Sequence, residues 1–163
     1  MKNKIIIYSD GACLNNGAKN SVGGWSVIID NGSKQLRRSG QVMNTTSNRM
    51  ELTAILEGLK ALRKDGLDVL VFTDSTYARN GCSSWIENWK ENNWKNSKKK
   101  PVENQDLWQE IDKQLQRLNV TFAYVKSHSG NPMNELADTL AKKACYGETV
   151  NQYKKSVLAK KMQ

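Results

Sequence analysis

The run Lys4-Ile5-Ile6-Ile7-Tyr8-Ser9-Asp10-Gly11 constrains the chain more than any other stretch. Its consecutive apolar and aromatic residues are too few for a helix and rich in β-branched side chains. They read as a strand buried on both faces, at the middle of a sheet. A carboxylate and a glycine close the run. In open α/β sheets the ligand crevice lies outside the carboxyl ends of central strands, so Asp10 is either a metal ligand or the start of a turn. Leu67-Asp68-Val69-Leu70-Val71-Phe72-Thr73-Asp74 repeats the theme. If the two strands are neighbours, Asp10 and Asp74 face each other, and like charges that close demand a proton or a cation between them. With Glu51 nearby, the all-oxygen ligand set suits Mg²⁺ or Mn²⁺ rather than zinc.

The remaining elements follow from periodicity. Trp25 to Ile29 and Lys34 to Ser39 are strand candidates joined by the hairpin signal Asp30-Asn31-Gly32-Ser33. Lys34, Arg37 and Arg38 mark the second as an edge strand facing water. Thr45 to Lys64 reads as a helix on the stripe Leu52, Ile55, Leu56, Leu59, Leu62. Asn48-Arg49-Met50-Glu51 matches a capping box with Asn48 as cap. Glu51 therefore either satisfies an orphan amide or stands where the helix meets the sheet. Ser75 to Asn80 makes a short helix, Glu103 to Asn119 an amphipathic one, and Val120 to Val125 the last strand. The loop Lys126 to Pro132 holds the chain's only histidine, His128, a residue type found in loops both as bystander and as proton carrier. A final helix, Asn134 to Ala144, sets Asp138 beside its apolar face, where an ordinary surface Asp also fits.

At 163 residues the chain suits one domain. Its 25 Lys and Arg against 16 Asp and Glu, a formal charge of +9, serve either a polyanionic partner or solubility. The charge gathers around Trp85, Trp89 and Trp94, interleaved with Lys90, Lys95, Lys98, Lys99 and Lys100; between Arg79 and Lys100 six basic residues oppose two acidic ones. Such tryptophans pack a core, or together with the lysines they make a surface that tracks phosphates. The tail Val150 to Gln163 holds Lys154, Lys155, Lys160 and Lys161 and no acid, and reads as a basic arm that frays. Three dispersed cysteines, Cys13, Cys82 and Cys145, imply neither a disulfide framework nor a zinc cage, but a reducing cytoplasm. The N-terminal apolar run is too short for a signal peptide, and no segment is long enough to span a membrane.

Together these stretches resemble bacterial-type ribonuclease H, the family that cuts RNA in RNA/DNA hybrids. The resemblance rests on Tyr8-Ser9-Asp10-Gly11 with Cys13, Gly23-Gly24-Trp25, Thr45 to Leu52, Thr73-Asp74-Ser75, Trp85 to Pro101, and His128-Ser129-Gly130 followed by Asn134-Glu135 and Asp138. It implies an α/β fold, a five-stranded mixed sheet with helices on both faces in the order βββαβαβα plus a basic helical protrusion. It runs from about Lys4 to Ala144, so a domain is expected over residues 1–146, followed by a basic tail over 147–163 that has no specific match. By the same resemblance Asp10, Glu51, Asp74 and Asp138 are metal-binding carboxylates and His128 assists proton transfer. Trp85 to Lys100 grips the DNA strand, while Asn16, Thr46 and Asn48 handle backbone phosphate or the minor groove. The loop Asn15 to Val22 departs from the family by its length and lack of proline, and Ser127 stands where a glycine usually precedes the histidine.

The implied activity is hydrolysis of the RNA strand by two Mg²⁺ ions, with Mn²⁺ as an alternative, leaving 5′-phosphate and 3′-hydroxyl ends. The expected enzyme is a cytoplasmic monomer. Two rivals make different use of the same residues: a DNA-cutting nuclease or transposase, which lacks the tryptophan-lysine protrusion, and a non-catalytic binding module, which gains nothing from clustered carboxylates.

Overall fold

The computed structural model describes residues 4–126 and 130–156. Among them, one mixed sheet runs in the order β5-β4-β1-β2-β3-β6. Its strands are β1 (Ile5–Leu14), β2 (Val22–Asp30), β3 (Lys34–Met43), β4 (Asp68–Thr73), β5 (Asn119–Tyr124) and β6 (Asn151–Lys155). The helices are α1 (Ser47–Lys60), α2 (Thr76–Asn80), α3 (Ile86–Glu91), α4 (Gln105–Arg117) and α5 (Pro132–Cys145), and a single π-helical turn over Gly81–Trp85 joins α2 to α3. The α/β class, the mixed sheet and the helices on both faces are as expected.

The sheet has six strands rather than five among the described residues, because the tail adds β6 antiparallel to β3. Asn-Gln-Tyr-Lys-Lys shows no apolar alternation and every residue of it is exposed, so it pairs mainly through its backbone and carries no pattern that reads as a strand. Residues 151–155 are therefore ordered in the sheet rather than frayed.

β1 is longer than its apolar run suggests. It stays paired with β2 as far as Leu14↔Val22, while its parallel pairing with β4 ends at Tyr8↔Phe72. Asp10 therefore lies mid-strand, where the sheet has just lost its β4 side, rather than at a turn. Two residues on from each of the last partners, Tyr8 and Phe72, stand Asp10 and Asp74.

Alternation along β1 and β2 sends Ile7, Val27 and Ile29 toward α1 and α4, where they form the main core with Leu52, Ile55, Leu59, Val69, Val71, Trp108 and Ile111. Each such side chain contributes about 1.5–3 kcal/mol on burial. The opposite face packs Tyr8 and Ile28 against Ala137 and Leu140 of α5. There Ser26 Oγ donates to the Ala137 carbonyl at 2.5 Å, fixing α5 over β2.

Candidate active site

The start of α1 is set by Thr46, not Asn48. Thr46 is the N-cap, its Oγ1 accepting from the Arg49 amide at 3.1 Å, and Asn48 lies in the first turn. The Asn48–Glu51 capping box does not form, because the helix begins earlier than that motif requires. Glu51 is thereby released from capping and turned toward the sheet. Gly11 makes this approach possible: a Cβ there would lie 2.5 Å from the Glu51 amide nitrogen and 2.6 Å from the Met50 carbonyl carbon.

Asp10, Glu51 and Asp74 converge. One carboxylate oxygen from each lies within 4.8 Å of the others. Asp10 is 3 % exposed, and Oε2 of Glu51 is enclosed with no hydrogen-bond partner among the described residues. Burial foremost, and then the charge of Asp74, lifts the Asp10 carboxyl from its ordinary 3.8 to about 8; a hydrogen bond with Glu51 opposes the rise, and a hydrogen bond and the charge of Asp138 add to it. Glu51 is likewise held well above its usual range, by burial first and then by Asp10 and Asp74. Carboxylates crowded and desolvated in this way keep their charge only where a cation lies among them. An all-oxygen set of this kind fits a hard dication.

Asp138 joins from α5. It bears on Asp10 directly and pairs with Lys142 one turn on, at 3.0 Å. Sequence reasoning does not single out Lys142, although an acid four residues before a lysine on a helix is a readable pair. Arg49 is a second residue whose role it misses. The Arg49 guanidinium grips Asp106 through two bonds, of 3.0 and 2.7 Å, and reaches Asn104 Oδ1 at 3.2 Å. It thereby ties the first turn of α1, and with it Glu51, to α4. His128 lies outside the described residues.

The expected substrate-binding residues form two groups. Asn16 Oδ1 accepts from the Ser47 amide at 3.0 Å, so Asn16, Thr46 and Asn48 gather at the N-terminus of α1, where amides and dipole favour an anion. In the second group the tryptophans are partly packed away. Trp89 packs at tilted angles against Trp85, Trp94 and Trp108, with ring centroids 5.9, 6.3 and 5.4 Å apart. Lys90 lies 3.5 Å from Asp112 and 3.9 Å from Glu87. Lys95, Lys98, Lys99 and Lys100 are exposed, on a turn closed by Asn96 Oδ1, which accepts from the amides of Lys98 and Lys100. Lys95 and Lys99 line a depression of about 620 Å³ with Trp89, Asn92 and Asn96.

The family model for RNase H matches residues 2–146. Ribonuclease H of Francisella philomiragia subsp. philomiragia is 47 % identical over 143 residues, 88 % of this chain and 91 % of that protein. Ribonuclease H of Francisella tularensis subsp. novicida is 46 % identical over the same shares. Among solved structures, LC9-RNase H1, described as a type 1 RNase H with the type 2 active-site motif, superposes with a TM-score of 0.82 at 26 % identity, over 98 % of this chain and 81 % of that one. The foamy viral protease-reverse transcriptase in complex with RNA/DNA hybrid shares the fold at a TM-score of 0.77 and 20 % identity, over 90 % of this chain and 20 % of that one.

Proposed function

The chain belongs to the ribonuclease H family, and from that premise we propose that Asp10, Glu51, Asp74 and Asp138 are the carboxylates with which it holds its metal. The enzyme is an endonuclease that hydrolyses the RNA strand of RNA/DNA hybrids. The observation that carries the site is the convergence of three carboxylates, two of them deprived of water, on one point. Their donor set suits Mg²⁺, with Mn²⁺ as substitute, and four carboxylates provide charge for two ions. Held by these carboxylates, dications would supply Lewis acidity to hydrolysis of the phosphodiester.

The protein's own groups divide the remaining work. Asp10 and Glu51, fixed by β1 and α1, provide rigid charge, and Arg49 keeps Glu51 in place through α4. Asp138, part-exposed and paired with Lys142, is free to exchange partners as substrate arrives. His128 assists proton transfer to the leaving 3′ oxygen, giving 5′-phosphate and 3′-hydroxyl ends. Asn16, Thr46 and Asn48 hold a backbone phosphate at the N-terminus of α1. Lys95, Lys98, Lys99 and Lys100 draw in the DNA strand, and Lys90, Trp85, Trp89 and Trp94 shape the surface from which they act. Discrimination comes from 2′-hydroxyls read across the shallow minor groove of the RNA strand. We further propose a cytoplasmic monomer with its catalytic domain over residues 1–146 and an appended tail over 147–163. Among the described residues no helix is long and apolar enough to cross a membrane.

The test is cleavage of strand-labelled hybrid, duplex DNA and duplex RNA, with and without Mg²⁺. The reading requires Mg²⁺-dependent cutting confined to the RNA strand of the hybrid. Equal cutting of duplex DNA, or cutting that persists in chelator, overturns it.

A further inference from the structure

We propose that the sheet edge made by β6, β3 and the C-terminal end of α1 is a second nucleic-acid contact, which takes a single strand running on from the hybrid; it rests on the hybrid reading above. β6 is placed with care although its own side chains stay exposed. Ser156 Oγ donates to the buried Asp30 Oδ1 at 2.5 Å, and Ser39 and Val150 exchange bonds of 2.9 Å at the other end. All five of its side chains are exposed, so burial adds little to its stability. What the strand adds is surface, and the centre of that surface is Tyr153, 71 % exposed.

Register shows what surrounds the ring. Lys34 pairs with Lys155, Leu36 with Tyr153 and Arg38 with Asn151, so alternation puts all six on the α1 face. Tyr153 stands between two depressions. One, of about 180 Å³, is floored by Ile5, Ile29, Leu36, Ala61 and Leu62. The other, of about 310 Å³, is walled by Arg38, Glu57, Lys60 and Arg63. Arg38 is oriented by β6 itself, its Nε donating to Asn151 Oδ1 at 3.3 Å. Lys34, Arg38, Lys60 and Arg63 line the two depressions and Lys155 stands beside Lys34 by register, while the one carboxylate in either lining, Glu57, pairs with Lys60 at 3.8 Å.

Cations around an exposed ring beside an apolar notch provide the two things a single strand needs: charge for its phosphates and a flat face for a base. A peptide of acidic residues alone would use the cations and leave the ring and the notch idle. The patch is separate from the carboxylates, since Ile5 and Asp10 are five residues, roughly 17 Å, apart along β1.

The test measures binding, in chelator, of a blunt hybrid and of the same hybrid carrying an extension of about 15 unpaired nucleotides, a length within the usual single-strand site size. The proteins are wild type, Tyr153→Ala, Tyr153→Phe and the double variant Arg38→Ala/Arg63→Ala, each checked by thermal melting. One stacked base and a few phosphates should tighten wild-type binding about 5- to 10-fold when the extension is present. Tyr153→Ala and the double variant should lose that gain, Tyr153→Phe should keep it, and all should bind and cut blunt hybrid as wild type does. The proposal is overturned if the extension adds nothing to wild type, if the variants keep the gain, if they weaken blunt hybrid equally, or if polyglutamate displaces the extension better than oligothymidylate does. Failure to bind or cut blunt hybrid at all would instead refute the hybrid reading.

Discussion

Asp10 shares its pocket with Glu51, Asp74 and Asp138, and burial leaves little water to support four charges. The folded protein without metal therefore holds the Asp10 proton more tightly than the unfolded chain does. Stability from this group is fully present below about pH 4, and is lost as pH rises through the folded value of about 8. Melting in chelator should thus fall between those limits, and added Mg²⁺ should flatten the fall; a metal-free profile that is level or rising would contradict the assignment. Asp10→Asn separates repulsion from function. Activity should drop roughly a thousandfold, since the ligand loss removes several kcal/mol of transition-state stabilisation, while melting in chelator at pH 8 should hold steady or rise. A variant that is both inactive and less stable would place Asp10 in the scaffold instead. At this scale the acids are unevenly legible in the sequence. Asp10 and Asp74 end two apolar runs whose parallel pairing can be guessed, whereas Asp138 sits on a helix whose periodicity favours a surface role, and only the resemblance marks it.

Helix α1 shows how an element carries a residue to its place. Its apolar stripe tells which face is buried, but its start is easily misread, because Thr46 and Asn48 are both good caps and only the tertiary position of Ser47, bonded to Asn16, selects the earlier one. The position of Glu51 then depends on how closely α1 can lie on β1. Gly11→Ala places a methyl group against the Glu51 and Met50 backbone, and overpacking of this kind costs about 1–3 kcal/mol. The expected result is a lower melting temperature, with kcat reduced about tenfold or more by the displaced carboxylate. Wild-type kcat with wild-type melting would show that the close approach has no bearing on the site. β6 illustrates the opposite difficulty. It is stabilised by ladder bonds and by Ser156 on Asp30, 126 residues apart in sequence, and a five-residue polar strand offers no periodicity from which to infer either.

Across the whole molecule the formal charge of +9 surrounds a pocket of carboxylates, an arrangement that draws in a polyanion and then requires dications where its backbone is to be cut. The Lys98, Lys99 and Lys100 turn should supply part of that attraction. Replacing all three by Ala should raise KM and lower the slope of log affinity against log salt by up to about 2 to 3, roughly one counterion for each phosphate no longer neutralised. An unchanged slope would leave the turn as solvated surface. The convergence of the acids themselves can be tested most directly by anomalous diffraction from Mn²⁺-loaded crystals holding an uncleavable hybrid. Two manganese peaks are expected within reach of Asp10, Glu51, Asp74 and Asp138, beside the RNA strand; peaks elsewhere, with none among these carboxylates, would contradict the account.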